Sequence, residues 1–194
     1  MTGGRGRGLV RVMSEDERPE PGDPREAEAA LLARLDAMGV GYALHRHPPL
    51  RTVEDSRALR GEMPGAHCKN LFLKEKKRGF WLVTCEESRA VRIKDPAWAG
   101  GARGFSFGAE GDRARRRGGR PGAVTPLAAL NDPGAEVRLV LDRQLLQAEI
   151  MNCHPLHNEA TLAISTRDLR RIFAATGHDP LEIDFDALEA QAQA

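Results

Sequence analysis

Apolar residues recur at helical spacing through DPREAEAALLARLDAMG, with Leu31, Leu35 and Met38 on one face. Asp23 is placed to cap this run, Pro24 takes the first helical position, Glu26 follows three residues after the cap, and Gly39 ends it. The pattern predicts a first helix. YALHRH then alternates like a short strand, and TVEDSRALRG reads as a second, short helix capped by Thr52 and closed by Gly61. NLFLKEK and FWLVTC are rich in β-forming residues and are joined by the turn KRG, so residues 70–85 form a hairpin.

Past the hairpin the pattern loosens. AVRIK and GFSFG are short enough to be strands, whereas AEGDRARRRGGR holds five arginines and no large apolar residue and is a loop by composition. PGAVTPLAAL, AEVRLVLD and EIMNCHP return to strand-like patterns. TLAIS leads into a last helix capped by Ser165, with Asp168 three residues on, Leu169, Ile172 and Phe173 as its apolar stripe, and Gly177 as its stop; PLEIDF closes as a strand. Short strands interleaved with three capped helices predict a single mixed α/β (α+β) domain over residues 25–186. Short connections favour a mostly antiparallel sheet. Residues 1–24 are Gly/Arg-rich and then acidic and Pro-rich, which predicts a disordered arm, with Met13 an alternative start; residues 187–194 are a C-terminal tail.

Charge and cysteine content narrow the field. Lysine and arginine number 29 against 28 acids in 194 residues, so any electrostatic footprint for nucleic acid must be local. Cys68, Cys85 and Cys153 are odd in number and widely spaced, without a C-x-x-C pair, and read as reduced thiols of a cytoplasmic protein. No apolar run approaches the roughly 18 residues of a membrane span, and the N-terminus lacks a signal-peptide core.

Four stretches could carry chemistry. Lys69 and Lys74 stand five positions apart and face opposite ways on a regular strand. A lysine at a strand start can offer three donors to a phosphate or carbonyl oxygen; the bland reading is the solvated flank of a hairpin. NCHPLHNE holds Cys153, His154, His157 and Glu159, but Pro155 interrupts it and no i,i+4 pair converges, so neither metal nor cofactor is expected. Cys153 and His154 are adjacent and face apart on a strand, as His154 and His157 do, which disfavours a Cys/His nucleophile and leaves a buried, hydrogen-bonded histidine as the alternative. In GRPGAVTP, Gly122 lets the chain expose backbone N–H groups to an anion or a carbonyl. The arginines from Arg113 to Arg120 are either a solvated loop or a phosphate track.

Taken in order, HRHPPLRTVEDSRALRGEMPGAHCKNLFLKEKKRGFWLV, RPGAVTPLAALND and HPLHNEATLAISTRDLRRIFAATGHDP resemble the YbaK/ProX family of prolyl-tRNA synthetase-associated editing domains. The likeness runs from Glu26 to Phe185 and is strongest to the freestanding type that removes alanine from mischarged proline tRNA. It implies a mixed β-sheet, partly rolled into a barrel and flanked by helices, with a deacylation pocket and no metal or cofactor. It also implies that Lys69 is the principal functional residue, with Asn70 beside it and Lys74 closing the KNLFLK motif. His154 becomes a pocket residue, Gly122 and Ala123 lie near the aminoacyl group, and Arg57 binds substrate. The implied partner is mischarged tRNA-Pro, with prolyl-tRNA synthetase or an elongation factor beside it. One departure stands out: AEGDRARRRGGR and KDPAWAGGARG replace the regular helical text of the family, either as a basic insertion that grips tRNA or through a shift in the recorded reading frame.

The implied activity has a physical logic. A prolyl pocket rejects alanine by only about 1–3 kcal/mol, because a few missing carbons in an apolar site cost little, and a second site too small for proline corrects the error. Hydrolysis of an activated ester needs a polarised carbonyl and an oriented attacking hydroxyl or water rather than a strong enzyme nucleophile. Lys69 can act by polarising that carbonyl or by gripping the terminal phosphate. The alternatives are a deacylase for cysteinyl-tRNA-Pro, a non-catalytic tRNA- or synthetase-binding module, and a metal hydrolase built on His154 and His157.

Overall fold

The computed structural model describes residues 23–49, 63–76, 79–93, 104–108 and 124–193. Most of the expected N-terminal arm, the expected helix at 52–61 and the Arg-rich stretch 109–120 lie outside them. Helix α1 (Pro24–Ala37) starts as its sequence dictates: the Asp23 carboxylate accepts from the Arg25 N–H at 2.9 Å, and Gly39 leaves the helix at φ +63°. Strands β1 (Tyr42–Arg46), β2 (Ala66–Glu75), β3 (Gly79–Glu86) and β4 (Phe105–Phe107) follow. The chain continues through β5 (Val137–Asp142), β6 (Ile150–Cys153), β7 (Ala160–Ser165), helix α2 (Thr166–Ala175), β8 (Leu181–Ile183) and helix α3 (Phe185–Gln193).

The strands form one mixed sheet in the order β1-β7-β6-β2-β3-β5-β8, with β4 added to β2. The order has two ends, so the described strands do not close into a barrel. Pairs β1–β7, β6–β7, β2–β3 and β2–β4 are antiparallel, and β2–β6, β3–β5 and β5–β8 are parallel. The expected hairpin is present in register from Cys68 opposite Glu86 to Glu75 opposite Gly79. Its period-two alternation sorts the core. Phe72, Phe80 and Leu82 enter one apolar cluster with Leu31 and Leu35 of α1 and Leu169, Ile172 and Phe173 of α2, while Leu73, Trp81, Val83 and Cys85 enter another with Val140 and Phe185. Each fully buried large side chain contributes roughly 1.5–3 kcal/mol through apolar area removed from water.

Three expectations are corrected. The PGAVTPLAAL stretch is not a strand where it is described: Pro126–Asn131 is a 3-10 helix, because Thr125 accepts from the Leu127 N–H and Pro126 sets the first helical φ. AVRIK forms no strand over its described residues Ala90–Ile93. There the chain leaves the sheet through a turn in which the Arg89 N–H donates to the Glu86 carbonyl at 3.1 Å. The C-terminal segment expected to be a tail is helical as α3, with Phe185 buried and Leu188 packed against the second cluster.

A buried ionic clamp holds α3 to the sheet. Arg89 Nε donates to Asp142 at 2.5 Å, its Nη1 to Asp186 at 2.8 Å and its Nη2 to Gln144 at 2.7 Å, while its guanidinium lies 5.5 Å from the Phe185 ring. Asp142 also accepts the Glu86 and Gln144 backbone N–H groups. Removing the cation would strand a carboxylate that is 1 % exposed. Arg89→Met is expected to lower unfolding stability by about 3 kcal/mol, read from urea denaturation, because one partner of a buried pair is lost and the other left charged. A change below about 1 kcal/mol would show that Asp142 is held by its backbone donors alone.

Candidate functional site

Strand β2 is paired with β3 along nearly its whole length, but its other edge is shared. Strand β6 pairs only with Ala66 and His67, β4 pairs only with Leu73–Glu75, and the Gly108 N–H donates to the Phe72 carbonyl at 2.9 Å. Between them, among the described residues, no strand pairs with the edge at Cys68–Leu71. Backbone polar groups alternate along a strand. The His67 carbonyl accepts from Glu87 on the β3 side, whereas Phe72 faces β4, so the N–H and C=O of Cys68 and Asn70 point into the gap.

Lys69 and Asn70 straddle this opening. Lys69 is half-buried on the face of Leu71 and Leu73, directly opposite Cys85, and its charge is felt at that thiol. Asn70 takes the other face, opposite Thr84. Lys74 is not brought to them. It lies about 17 Å further along the strand, exposed, on the face of Phe80 with its ammonium 5.6 Å from that ring. The opposite-face expectation for the two lysines therefore holds. Gly122, Ala123 and Arg57 lie outside the described residues. The described segment from Val124 on is anchored: Thr125 is buried, and Asp132 at the end of its 3-10 helix accepts from His178 at 3.2 Å and from the Val137 N–H at 2.9 Å.

Asn70 sits in a polar relay that crosses three strands. Thr84 Oγ1 donates to Asn70 Oδ1 at 2.7 Å, Asn70 Nδ2 donates to Cys68 Sγ at 3.8 Å, and Cys68 Sγ donates to the Asn152 carbonyl at 3.3 Å. The Cys153 thiol is hydrogen-bonded to Cys68 from β6. That bond holds Cys68 below its ordinary range against the effect of burial, and the same contact together with burial pushes Cys153 well above its own. Burial pushes Cys85 up to about 12. Cys153 is thus a protonated thiol at neutral pH, unsuited to attack a carbonyl.

The two histidines of NCHPLHNE do not share a strand. Strand β6 ends at Cys153, and residues 154–159 form a loop in which buried Leu156 takes φ +67°, so the alternation expected of His154 and His157 does not apply. His157 is structural. Its Nδ1 accepts from the Glu159 N–H at 3.1 Å, so Nε2 carries the proton that it donates to Glu28 at 2.7 Å. Both ring nitrogens are therefore committed, and Glu28 is further paired with Arg46 at 2.5 Å. His154 is different. Its Nδ1 donates to the Ala160 carbonyl at 3.3 Å, and burial, opposed by that bond and reinforced by His47 and His157, holds its pKa below 6.5. A neutral His154 keeps Nε2 as an acceptor. Among the described residues no group of three or more His, Cys, Asp or Glu side chains is placed to hold a metal ion, and no helix is long and apolar enough to cross a membrane.

The open strand edge offers a cation and an amide, a set that can bind the oxygens of an ester and its neighbouring phosphate, while the neutral imidazole of His154 stands in the loop after β6. Sequence reasoning passed over Thr84 and Cys68. The signal was there: Thr84 is a hydroxyl inside the otherwise apolar run FWLVTC, 0 % exposed, and a buried hydroxyl requires a partner.

Comparisons with known proteins show the family and the fold. The model of the Aminoacyl-tRNA editing domain matches residues 47–172. The chain is 37 % identical over 166 residues to Prolyl-tRNA synthetase associated domain-containing protein 1 of Bos taurus, covering 83 % of this chain and 96 % of that one. It is 32 % identical over 154 residues to Prolyl-tRNA editing protein ProX of Acetoanaerobium sticklandii, covering 79 % and 94 %. The crystal structure of hypothetical protein APE2540 shares the fold, with a TM-score of 0.61 at 24 % identity over 78 % of this chain and 97 % of that one. By that match and these relatives, the chain belongs to the aminoacyl-tRNA editing domain family.

Proposed function

We propose that this protein is a trans-acting deacylase that hydrolyses alanyl-tRNA-Pro and spares prolyl-tRNA-Pro. The observation that carries this reading is the gap in the β2 edge, where Lys69 and Asn70 stand on either side of backbone groups with which no described strand pairs. An aminoacyl-adenosine end laid against that edge meets the Lys69 ammonium at its phosphate or carbonyl oxygen and the Asn70 amide on the other face. His154, neutral and offering Nε2, accepts from the substrate's hydroxyl or amino group. The ester carbonyl is polarised by the Lys69 and Asn70 donors, and a water oriented by the adenosine's free hydroxyl attacks it, breaking the acyl–oxygen bond to release alanine and a tRNA with its terminal hydroxyl restored. Proline exclusion follows from the size of the site rather than from its polarity. The tRNA is held largely through phosphate contacts, as for any RNA partner.

Lys69→Ala is expected to slow single-turnover deacylation of alanyl-tRNA-Pro at least about tenfold, since a hydrogen bond to a charged group contributes roughly 1.5–3 kcal/mol and each 1.4 is a factor of ten. Lys74→Ala should do markedly less, being on the far end and the opposite face of β2. Equal hydrolysis of alanyl- and prolyl-tRNA-Pro by the wild-type chain would sink the size-exclusion reading. A larger effect from Lys74 would place the site elsewhere on the hairpin.

The pH profile checks His154. Its folded pKa lies below the ordinary 6.5, so the ring stays neutral as pH falls from 8 through 6.5 and takes a proton only below that. The acid limb of kcat/KM is therefore expected below pH 6.5 and should disappear in His154→Ala. An acid limb centred at or above 6.5 that persists in the variant would remove His154 from the chemistry.

A further inference from the structure

We infer that Thr84 is a positioning residue that fixes Asn70 as a hydrogen-bond donor to the substrate, an inference that rests on the deacylase reading above. An asparagine amide at an open edge can present either its oxygen or its NH2 group, because a half-turn of the terminal torsion exchanges them at little steric cost. Here the exchange is blocked from both sides. Cys68 spends its own proton on the Asn152 carbonyl and receives one from Cys153, so its sulfur can only accept from Asn70. That places Asn70 Nδ2 toward Cys68 and Oδ1 toward β3. Thr84 stands directly opposite in the register, fully buried, and donates to Oδ1 at 2.7 Å. Turning the amide over would set a carbonyl oxygen against the sulfur acceptor and leave the Thr84 hydroxyl to reverse inside the core. The relay commits one N–H of Asn70 to Cys68 and leaves the second for a ligand in the gap. The edge then offers a donor of fixed sense beside the Asn70 backbone N–H, suited to an ester or ribose oxygen.

The test compares Thr84→Val, which keeps the volume and removes the hydroxyl, with Thr84→Ser, which keeps the hydroxyl, in single-turnover deacylation of alanyl-tRNA-Pro. Thr84→Val is expected to lower kcat about threefold to tenfold with KM changed less than about twofold, and Thr84→Ser to stay within about twofold of wild type. In an Asn70→Ala background, Thr84→Val should have no further effect on kcat, because the hydroxyl acts only through the amide. Should Thr84→Val fail to fold, Cys68→Ala removes the acceptor at the other end of the relay and is expected to lower kcat by the same threefold to tenfold. Wild-type kcat in folded Thr84→Val or Cys68→Ala, or an additive loss in the Asn70→Ala background, overturns the inference alone. A wild-type chain inactive on alanyl-tRNA-Pro but holding the fold overturns the deacylase reading and the inference with it.

Discussion

The structure depends on one strand serving two partners on the same edge. Because β2 is held along its length by β3, its opposite edge can be shared between β6 at one end and β4 at the other without the strand losing its place in the sheet. Backbone groups left between the two partners need hydrogen bonds from somewhere, and in a buried setting an unmet N–H or C=O costs about 1–3 kcal/mol. A ligand with oxygens of its own can supply them. The same register that leaves the edge open decides which side chains border it, since period-two alternation puts Lys69 on one face and Asn70 on the other.

Around this edge, charged pairs hold the frame. The Arg89–Asp142–Asp186 clamp ties the end of β5 to α3, the Glu28–Arg46–His157 cluster ties α1 to β1 and to the loop after β6, and His178–Asp132 ties the end of α2 to the 3-10 helix that follows the PGAV turn. Each links elements far apart in sequence. Nearer the gap stand the Thr84 hydroxyl, the Asn70 amide, the Cys68 and Cys153 sulfurs and the Lys69 cation.

Much of this was legible in the chain. The caps at Asp23 and Ser165, the apolar stripe of α2, the β2–β3 hairpin and the separation of Lys69 from Lys74 are local consequences of spacing, and the structure repeats them. Where local pattern misled, a tertiary contact had intervened. Residues 126–131 carry an apolar run compatible with a strand, yet Thr125 and Pro126 start a 3-10 helix that packs into the core beside α2. The C-terminal segment is too short to hold a helix alone, and is a helix where Phe185 and Arg89 hold it.

The sequence by itself determined the hairpin, the face that each of its residues takes and the family to which its motifs belong, because strand alternation and turn chemistry act over a few residues. Only the tertiary structure decided that β6 and β4 part along β2, that His154 sits in a loop with its Nδ1 on the Ala160 carbonyl while His157 is spent on Glu28, and that Thr84 reaches Asn70. Those outcomes rest on pairings between residues 6 to 129 positions apart. No local periodicity encodes such pairings, since the partner of a buried polar atom is chosen by which elements the whole core brings together.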